Sequence, residues 1–364
     1  MGRGNLIHMK QLAKKSLGQH FLISEPVLDR IVAAAGITKE DTIFEIGPGT
    51  GNLTKKLLDS PAREIIAVEK DDKLYKYLGE LFSSKVCHPE RSRRVSKLPN
   101  RLKLIHGDAL TLIPNLVVGD CPRDSGTVPC MDKHFKVVAN LPYNIASPAI
   151  ISLLTVCPTL PEMMVVMLQR EVAERIVAKP GNSNRGLLTV FLELFGEAKI
   201  VERVNKGCFR PIPEVDSAVV RIVIARPPAG WPWQSRQRID FAKSALRILK
   251  AAFSAKRKKI KNSLFTSWLV PGQGSSHPTN LPARSCCITA GGRIKRNYES
   301  TNKIPPVIAR RPKAEAAISP GATVYRHFTP QEALKIAQKC GFSLDQRPEE
   351  LTRDQWLKLI SSIG

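Results

Sequence analysis

Short, nearly continuous apolar runs recur at residues 42–46 (TIFEI), 64–69 (EIIAVE), 102–105 (LKLI), 135–139 (FKVVA) and 163–168 (MMVVML). Runs of this length, rich in Val and Ile, predict strands buried on both faces. Between them the period becomes helical. Residues 24–36 (SEPVLDRIVAAAG) predict a helix with Ser24 as N-cap, Pro26 just inside and Gly36 as the stop. Further helices are predicted from the GPGTGN segment to about Asp59, from Asp71 to Leu81, and over residues 148–155, 171–178 and 186–194. Strands near 199–204 and 217–224 complete this region. Strands alternating with helices predict a largely parallel, doubly wound α/β sheet.

The pattern then changes. Residues 226–235 (RPPAGWPWQS) read as a Pro/Trp-rich linker. Beyond it Phe241, Ala245, Leu249 and Phe253 recur at helical spacing, and residues 329–363 give three short helical patterns separated at Gly341 and Pro348. The expected organisation is a sheet domain over 1–228 and a small C-terminal helical domain over 236–364, in keeping with about 150 residues per domain. Three segments break the alternation and read as insertions: about 86–100, 120–134 and 267–324. The last is rich in Gly, Pro, Ser and Arg, and a structureless stretch that long is unusual inside a compact domain.

Composition adds one strong constraint. The 364 residues carry 56 Lys+Arg against 32 Asp+Glu, a formal charge of +24. That excess favours a polyanionic partner, nucleic acid ahead of an anionic membrane surface. No apolar run approaches the ~20 residues a membrane span needs. The basic start, MGRGNLIHMKQLAKK, lacks the apolar core of a signal peptide. A soluble, cytoplasmic protein is expected. The eight cysteines form no C-x-x-C pair and no zinc-type spacing with His, so free thiols in a reducing compartment and no metal site are expected.

Candidate chemistry begins at Glu45-Ile46-Gly47-Pro48-Gly49-Thr50-Gly51, between a predicted strand and helix. Glycines there let a ligand approach the backbone, although a plain tight turn fits the run as well. The spacing is G-x-G-x-G, with Asn52 where a dinucleotide fingerprint has its third Gly, so no pyrophosphate signature results. Glu69 ends the second strand and could accept two hydrogen bonds from ribose hydroxyls. Asp108, after the third strand, could accept from an adenine amino group. Each alone also fits a plainer role: a solvated strand-end acid for Glu69, an N-cap or Asx-turn for Asp108. Together and in this order they suit a nucleoside without phosphate, such as S-adenosylmethionine.

Asn140-Leu141-Pro142-Tyr143 follows the fourth strand. An exocyclic base amine is a poor nucleophile because its lone pair is delocalised into the ring. The Asn140 side-chain oxygen and the Leu141 carbonyl could accept its two N–H bonds and aim the lone pair at a methyl donor. Pro142 fixes the turn, and Tyr143 offers a face on which an extruded base can stack.

With these motifs the chain resembles the small-subunit (16S) ribosomal RNA adenine N6-dimethyltransferases, the group linked to kasugamycin sensitivity. The resemblance rests on KKSLGQHFL (14–22), EIGPGTGNLT (45–54), NLPYNI (140–145), LQREVAERI (168–176), FRPIPEVDSAVVRI (209–222) and AFSAKRKKIKNSL (252–264). It implies a Rossmann-like S-adenosylmethionine-dependent methyltransferase sheet with a small C-terminal helical domain. It implies a cofactor site at His20, Leu22, Gly47, Gly49, Glu69, Asp108 and Asn140, and no metal. Many members carry Asn where this chain has His20; a contact through the backbone is indifferent to that change. The target base falls to Asn140, Leu141, Pro142 and Tyr143. Phe209 is expected as a second stacking face or, failing that, as a core aromatic. The family is shorter by roughly what the three insertions add, so deleting 267–324 should spare activity.

The RNA-binding surface is expected in the helical domain. Residues 236–265 hold ten Lys/Arg and one acid, Asp240, and end in a cluster of Lys256, Arg257, Lys258, Lys259 and Lys261. Such a cluster can be a merely solvated face; at this net charge phosphate contact is the better reading. The resemblance implies dimethylation of two adjacent adenosines near the 3′ end of small-subunit rRNA, on an immature particle, by a monomer. The alternatives are a large-subunit rRNA adenine methyltransferase and a ribosome-assembly factor for which catalysis is secondary.

Overall fold

The computed structural model describes residues 19–83, 100–118, 130–131, 135–225, 235–254, 258–265, 268–271, 323–326 and 328–363. The strands that build the site are β1 (Phe21–Leu22), β2 (Thr42–Ile46), β3 (Glu64–Glu69), β4 (Leu102–His106), β5 (Phe135–Asn140), β6 (Met163–Gln169), β7 (Gly196–Val204), β8 (Phe209–Arg210) and β9 (Ser217–Ile224). Seven of them form one sheet in the order β4-β3-β2-β5-β6-β9-β7. From β4 to β6 every pairing is parallel. Covered on both faces, these strands need apolar side chains at successive positions, which is the pattern of the sequence. The far edge departs from it: β9 runs antiparallel to both β6 and β7, between which it inserts. Gly196 opens β7 in a corner where a Cβ would come 2.0 Å from the Val223 carbonyl oxygen, so the turn out of the preceding helix admits only glycine.

The helices of this region are α1 (Glu25–Ala35), α2 (Asn52–Asp59), α3 (Asp72–Phe82), α4 (Ala109–Leu112), α5 (Ala146–Thr155), α6 (Arg170–Ile176) and α7 (Leu187–Phe195). Helix α1 ends as its sequence predicts, with Gly36 left-handed at φ 50° and its N–H on the Ala33 carbonyl. It buries Val27, Leu28, Ile31 and Ala35 in a core shared with Ile43, Val138, Val165 and Val219. Helix α3 is started by Asp71, whose carboxylate accepts from the Lys73 and Leu74 N–H groups.

Beyond the sheet lie α8 (Ser235–Ala252), α9 (Ile260–Ser263), α10 (Pro330–Cys340) and α11 (Arg353–Ile363). The middle of the three helical patterns expected near the C-terminus is absent: between α10 and α11 the chain makes only a 3-10 turn over Pro348–Glu350. These helices belong to the same compact unit as the sheet, which takes in Met1–Thr266 and Phe328–Gly364. Two buried arginines account for that union. Arg238 of α8 donates to the carbonyls of Leu154, Cys157 and Pro158, which the end of α5 leaves without helical partners. Arg185 pairs with Glu193 and donates to the Glu349 and Leu351 carbonyls at 3.0 and 2.7 Å. Trp356 of α11 is fully buried and stacks on Phe253. Arg185→Ala takes the ion-pair partner from Glu193 and the arginine donor from the Leu351 carbonyl, while the Glu349 carbonyl keeps the Gly181 N–H at 3.0 Å. The substitution is expected to cost about 3–5 kcal/mol, measured as a lowered midpoint in chemical denaturation.

The second unit is Ser267–His327. Its described residues pair antiparallel, Trp268–Pro271 against Thr323–Arg326, with Pro271 opposite Thr323. The remainder of the third expected insertion, and most of the other two, lie outside the described residues. Because residues 271 and 323 are direct cross-strand partners, the intervening segment can be replaced by a two-residue Asn-Gly turn. The shortened protein is expected to keep wild-type S-adenosylmethionine affinity and methyl transfer, as calorimetry and a labelled-methyl assay would show.

Candidate active site

The glycine run leaves the C-terminal end of β2 where the strand order divides, β3 on one side and β5 on the other. Open α/β sheets bind ligands at such switch points. Gly47 and Gly49 hold φ of 68° and 61°, left-handed values that favour glycine. The Gly47 N–H reaches across to the Val68 carbonyl at 2.9 Å. The Gly49 N–H donates to Glu69 Oε2 at 3.1 Å. A Cβ on Gly49 would meet the Phe21 ring at 3.0 Å.

Glu69, 4% exposed at the tip of β3, also accepts from the Asp71 N–H through Oε1 at 2.9 Å. Burial pushes its carboxyl above the usual range, and the hydrogen bonds from Asp71 and Gly49 oppose that. Glu69 is therefore not a solvated strand-end acid. Asp108 caps α4, accepting from the Leu110 N–H at 2.9 Å, and its other oxygen takes Lys70 Nζ at 2.8 Å. The Lys70 ammonium, with help from the cap bond and against partial burial, holds the Asp108 carboxyl below its ordinary value.

Asn140 ends β5. Its Nδ2 donates to the His20 carbonyl at 3.3 Å, which orients the amide. Leu141 is buried, and Pro142 packs 3.4 Å from the position a Gly47 Cβ would take. The Tyr143 hydroxyl bonds the fully buried Ser217 Oγ at 2.7 Å. The His20 ring stacks on Tyr143 with centroids 5.7 Å apart and planes 27° apart. A two-residue ladder, β1 against β8, brings the segment around His20 beside the loop after Phe209. Asn52 Nδ2 holds the Leu22 carbonyl at 2.7 Å.

Two adjoining cavities result, and Gly47, Glu69 and Pro142 line both. One extends to Lys70 and Asp108, the other to His20, Leu22, Glu45, Asn140 and Tyr143. The cofactor and target residues expected from the sequence are thus brought to one place, with one exception. Phe209 is wholly buried in the cluster that includes Leu22, Val27, Met167 and Val219, and presents no open stacking face. The β1–β8 pairing draws it inward.

Three further residues stand at the site, none of them assigned a role there by the sequence. Glu45 is 1% exposed, its Oε2 has no hydrogen-bond partner, and it opens the glycine motif. Burial pushes its carboxyl up to about 8; the nearby Thr54 hydroxyl opposes this and the charge of Glu69 adds to it. Asn52 occupies the place of the missing third glycine. Ser217 lies within the FRPIPEVDSAVVRI motif.

Of the expected phosphate-binding residues, Lys256 and Arg257 lie outside the described residues. Lys258, Lys259 and Lys261 are exposed. Lys259 and Lys261 share Asp345 Oδ1 at 3.0 and 2.8 Å. They hold its carboxyl down to about 2, Lys261 contributing first. Among the described residues no group of three or more His, Cys, Asp or Glu side chains is placed to hold a metal ion.

The family model for ribosomal RNA adenine dimethylase matches residues 10–273. "Ribosomal RNA small subunit methyltransferase A" of Dehalococcoides mccartyi strain CBDB1 is 41% identical over 269 residues, 74% of this chain and 78% of the relative. The protein of that name from Synechococcus sp. strain CC9902 is 38% identical over 257 residues, 69% and 82% of the two chains. Among solved structures, the 23S rRNA methyltransferase ErmE aligns with a TM-score of 0.51 at 20% identity, over 94% of this chain and 98% of that one, a likeness of fold. By motif order, sheet topology and sequence identity, the chain belongs to the ribosomal RNA adenine dimethylase family.

Proposed function

We propose that the protein uses S-adenosylmethionine to dimethylate N6 of two adjacent adenosines near the 3′ end of small-subunit rRNA, on the immature particle in the cytoplasm. The observation that carries this reading is the Asn140 amide. It lies where the glycine loop meets the Pro142 turn, turned by the His20 carbonyl, beside a tyrosine anchored at its hydroxyl.

The residues present fit the cofactor. Asp108 suits an adenine amino group, Glu69 the ribose hydroxyls, and the Gly47 and Gly49 backbone leaves room for close approach. Glu45, buried with an unpartnered oxygen, suits a cationic ligand end. S-adenosylmethionine brings a methyl group on a sulfonium already activated for transfer, so the chain needs no general base ahead of that step. Its task is positioning, which can be worth several orders of magnitude in rate. The Asn140 oxygen and the Leu141 carbonyl accept the two N–H bonds of the target amine and direct its lone pair. Tyr143 supports the base plane. The second methylation uses the same seat, with one N–H acceptor fewer in use.

RNA is held through phosphate contacts by the basic segment ending at Lys261. These contacts position the substrate and do not read sequence. Asp345 already engages Lys259 and Lys261, so the charge test is placed on Lys256, Arg257 and Lys258 instead. Reversing the charge of those three is expected to weaken binding of all RNAs alike and to flatten the salt dependence by roughly 0.7–0.9 log units of slope per lost contact. Filter binding over a salt series checks this. The choice of subunit is tested by offering immature small subunits and, separately, large subunits with labelled cofactor. Label on small subunits alone supports the reading; label on large subunits alone assigns the protein to large-subunit methylation.

A further inference from the structure

Resting on the enzymatic reading above, we propose that the His20 side chain is a positioning residue for the target base, locking Tyr143 and the Pro211 loop together. Three contacts of one residue carry the argument. The His20 carbonyl orients the Asn140 amide. Its ring covers Tyr143 in a stacked geometry. Its Nδ1 lies 2.9 Å from the Pro211 carbonyl oxygen. A carbonyl can only accept, so Nδ1 carries the proton and the imidazole donates it to the loop. The β1–β8 ladder brings the two segments together but ends at Phe21 and Arg210. The imidazole adds one more tie just beyond it, on the side where Tyr143 lies.

Tyr143 is thus fixed at two places, its hydroxyl by Ser217 and its face by His20. A stacking platform must be rigid before the base arrives, since a misplacement of about 1 Å at a reacting centre can cost 10²-fold in rate. The imidazole acts on the base through Tyr143, and the main chain of His20 serves the Asn140 end. Asparagine at this position keeps a donor for Pro211 but cannot stack. Phenylalanine keeps the stack but cannot donate.

The test uses the full chain with His20→Ala, His20→Asn and His20→Phe. Calorimetry gives S-adenosylmethionine affinity, and single turnover at saturating cofactor gives the transfer rate on immature small subunits. Ring-labelled tyrosine gives the Tyr143 signal, assigned with Tyr143→Phe among the five tyrosines. The expected result is cofactor affinity within about twofold throughout and a rate roughly tenfold lower in the alanine variant. Part of that rate returns in each of the other two. The Tyr143 ring signal shifts in His20→Ala and returns in His20→Phe. Weaker cofactor binding with an unchanged single-turnover rate would overturn the proposal, as would an unmoved Tyr143 signal or loss of folding in all three variants. The tyrosine signal needs no substrate, so it decides the proposal even if the wild type transfers no methyl, a result that would count against the enzymatic reading instead.

Discussion

Asn140→Ala is expected to lower methyl transfer by about 10²–10³-fold, the usual cost of removing one preorganised polar contact to a reacting group. The amide lies at the end of β5, whose neighbours β2 and β6 fix its height and direction. The His20 carbonyl holds Nδ2, so the remaining oxygen is the acceptor on offer. Alanine leaves the His20 carbonyl without this donor, at partial exposure, so the fold should lose little. The loss should appear in kcat rather than in KM for RNA, because the contact matters most as the amine turns its lone pair to the methyl group. Asn140→Asp separates shape from donor capacity: it keeps an acceptor oxygen but cannot donate to His20, and falls between wild type and alanine. Single-turnover rates with thermal unfolding as the control decide the matter. A rate within threefold of wild type would remove Asn140 from the chemistry.

Glu45→Gln should have opposite effects on stability and on cofactor binding. A carboxyl in an unfolded chain titrates at about 4.3, whereas burial raises the folded Glu45 to about 8. Between those values the folded state keeps a proton that the unfolded state has lost. Stability therefore falls as pH rises from about 4.3 to about 8, then levels off. Glutamine has no charge to bury. In the free protein at pH 8 it is expected to add on the order of 1–3 kcal/mol, read as a melting midpoint a few degrees higher. At pH 4.5 the two proteins should differ little. S-adenosylmethionine reverses the ranking by affinity: without the carboxylate opposite a cationic ligand end, the variant gains a smaller shift from saturating cofactor. A retained orphan carboxylate whose removal stabilises the empty protein is how a functional site departs from the rules of a core. Equal midpoints at pH 8, or equal cofactor shifts, would contradict this role for Glu45.

The sheet was largely legible because parallel strands announce themselves. Thr42–Ile46, Glu64–Glu69 and Phe135–Asn140 are buried along almost their whole length, and their apolar runs coincide with the observed strands. Helix α1 was legible to the residue at its end because Gly36 is a chemical stop. The antiparallel β9 was harder. Its place between β6 and β7 is decided by tertiary pairing, and its run reads the same in either direction. The two-residue strands β1 and β8 have no period at all, yet they bring His20 to Pro211 and draw Phe209 into the core. That pairing is why the aromatic expected as a second stacking face is instead packed inside.

The residues proposed for the cofactor were legible as an ordered set, glycine loop then Glu69 then Asp108, because each ends a successive parallel strand, and they line the two adjoining cavities. Their partners were not. The Gly49–Glu69 bond, the Lys70–Asp108 pair and the Tyr143–Ser217 bond join residues 20, 38 and 74 positions apart, and no local pattern reports on such distances. The union of the C-terminal helices with the sheet unit hid for a similar reason: nothing in the local sequence marks Arg185 or Arg238 as buried, and only the fold turns them onto inner carbonyls.

The most direct test is nucleoside analysis of small-subunit rRNA after incubation of the full chain with S-adenosylmethionine and immature particles lacking the modification. The account predicts N6,N6-dimethyladenosine at two adjacent positions near the 3′ end, formed by the wild type and nearly absent with Asn140→Ala. Particles that are bound but carry no methyl group after incubation with the wild type would contradict it, and would leave assembly without catalysis as the protein's role.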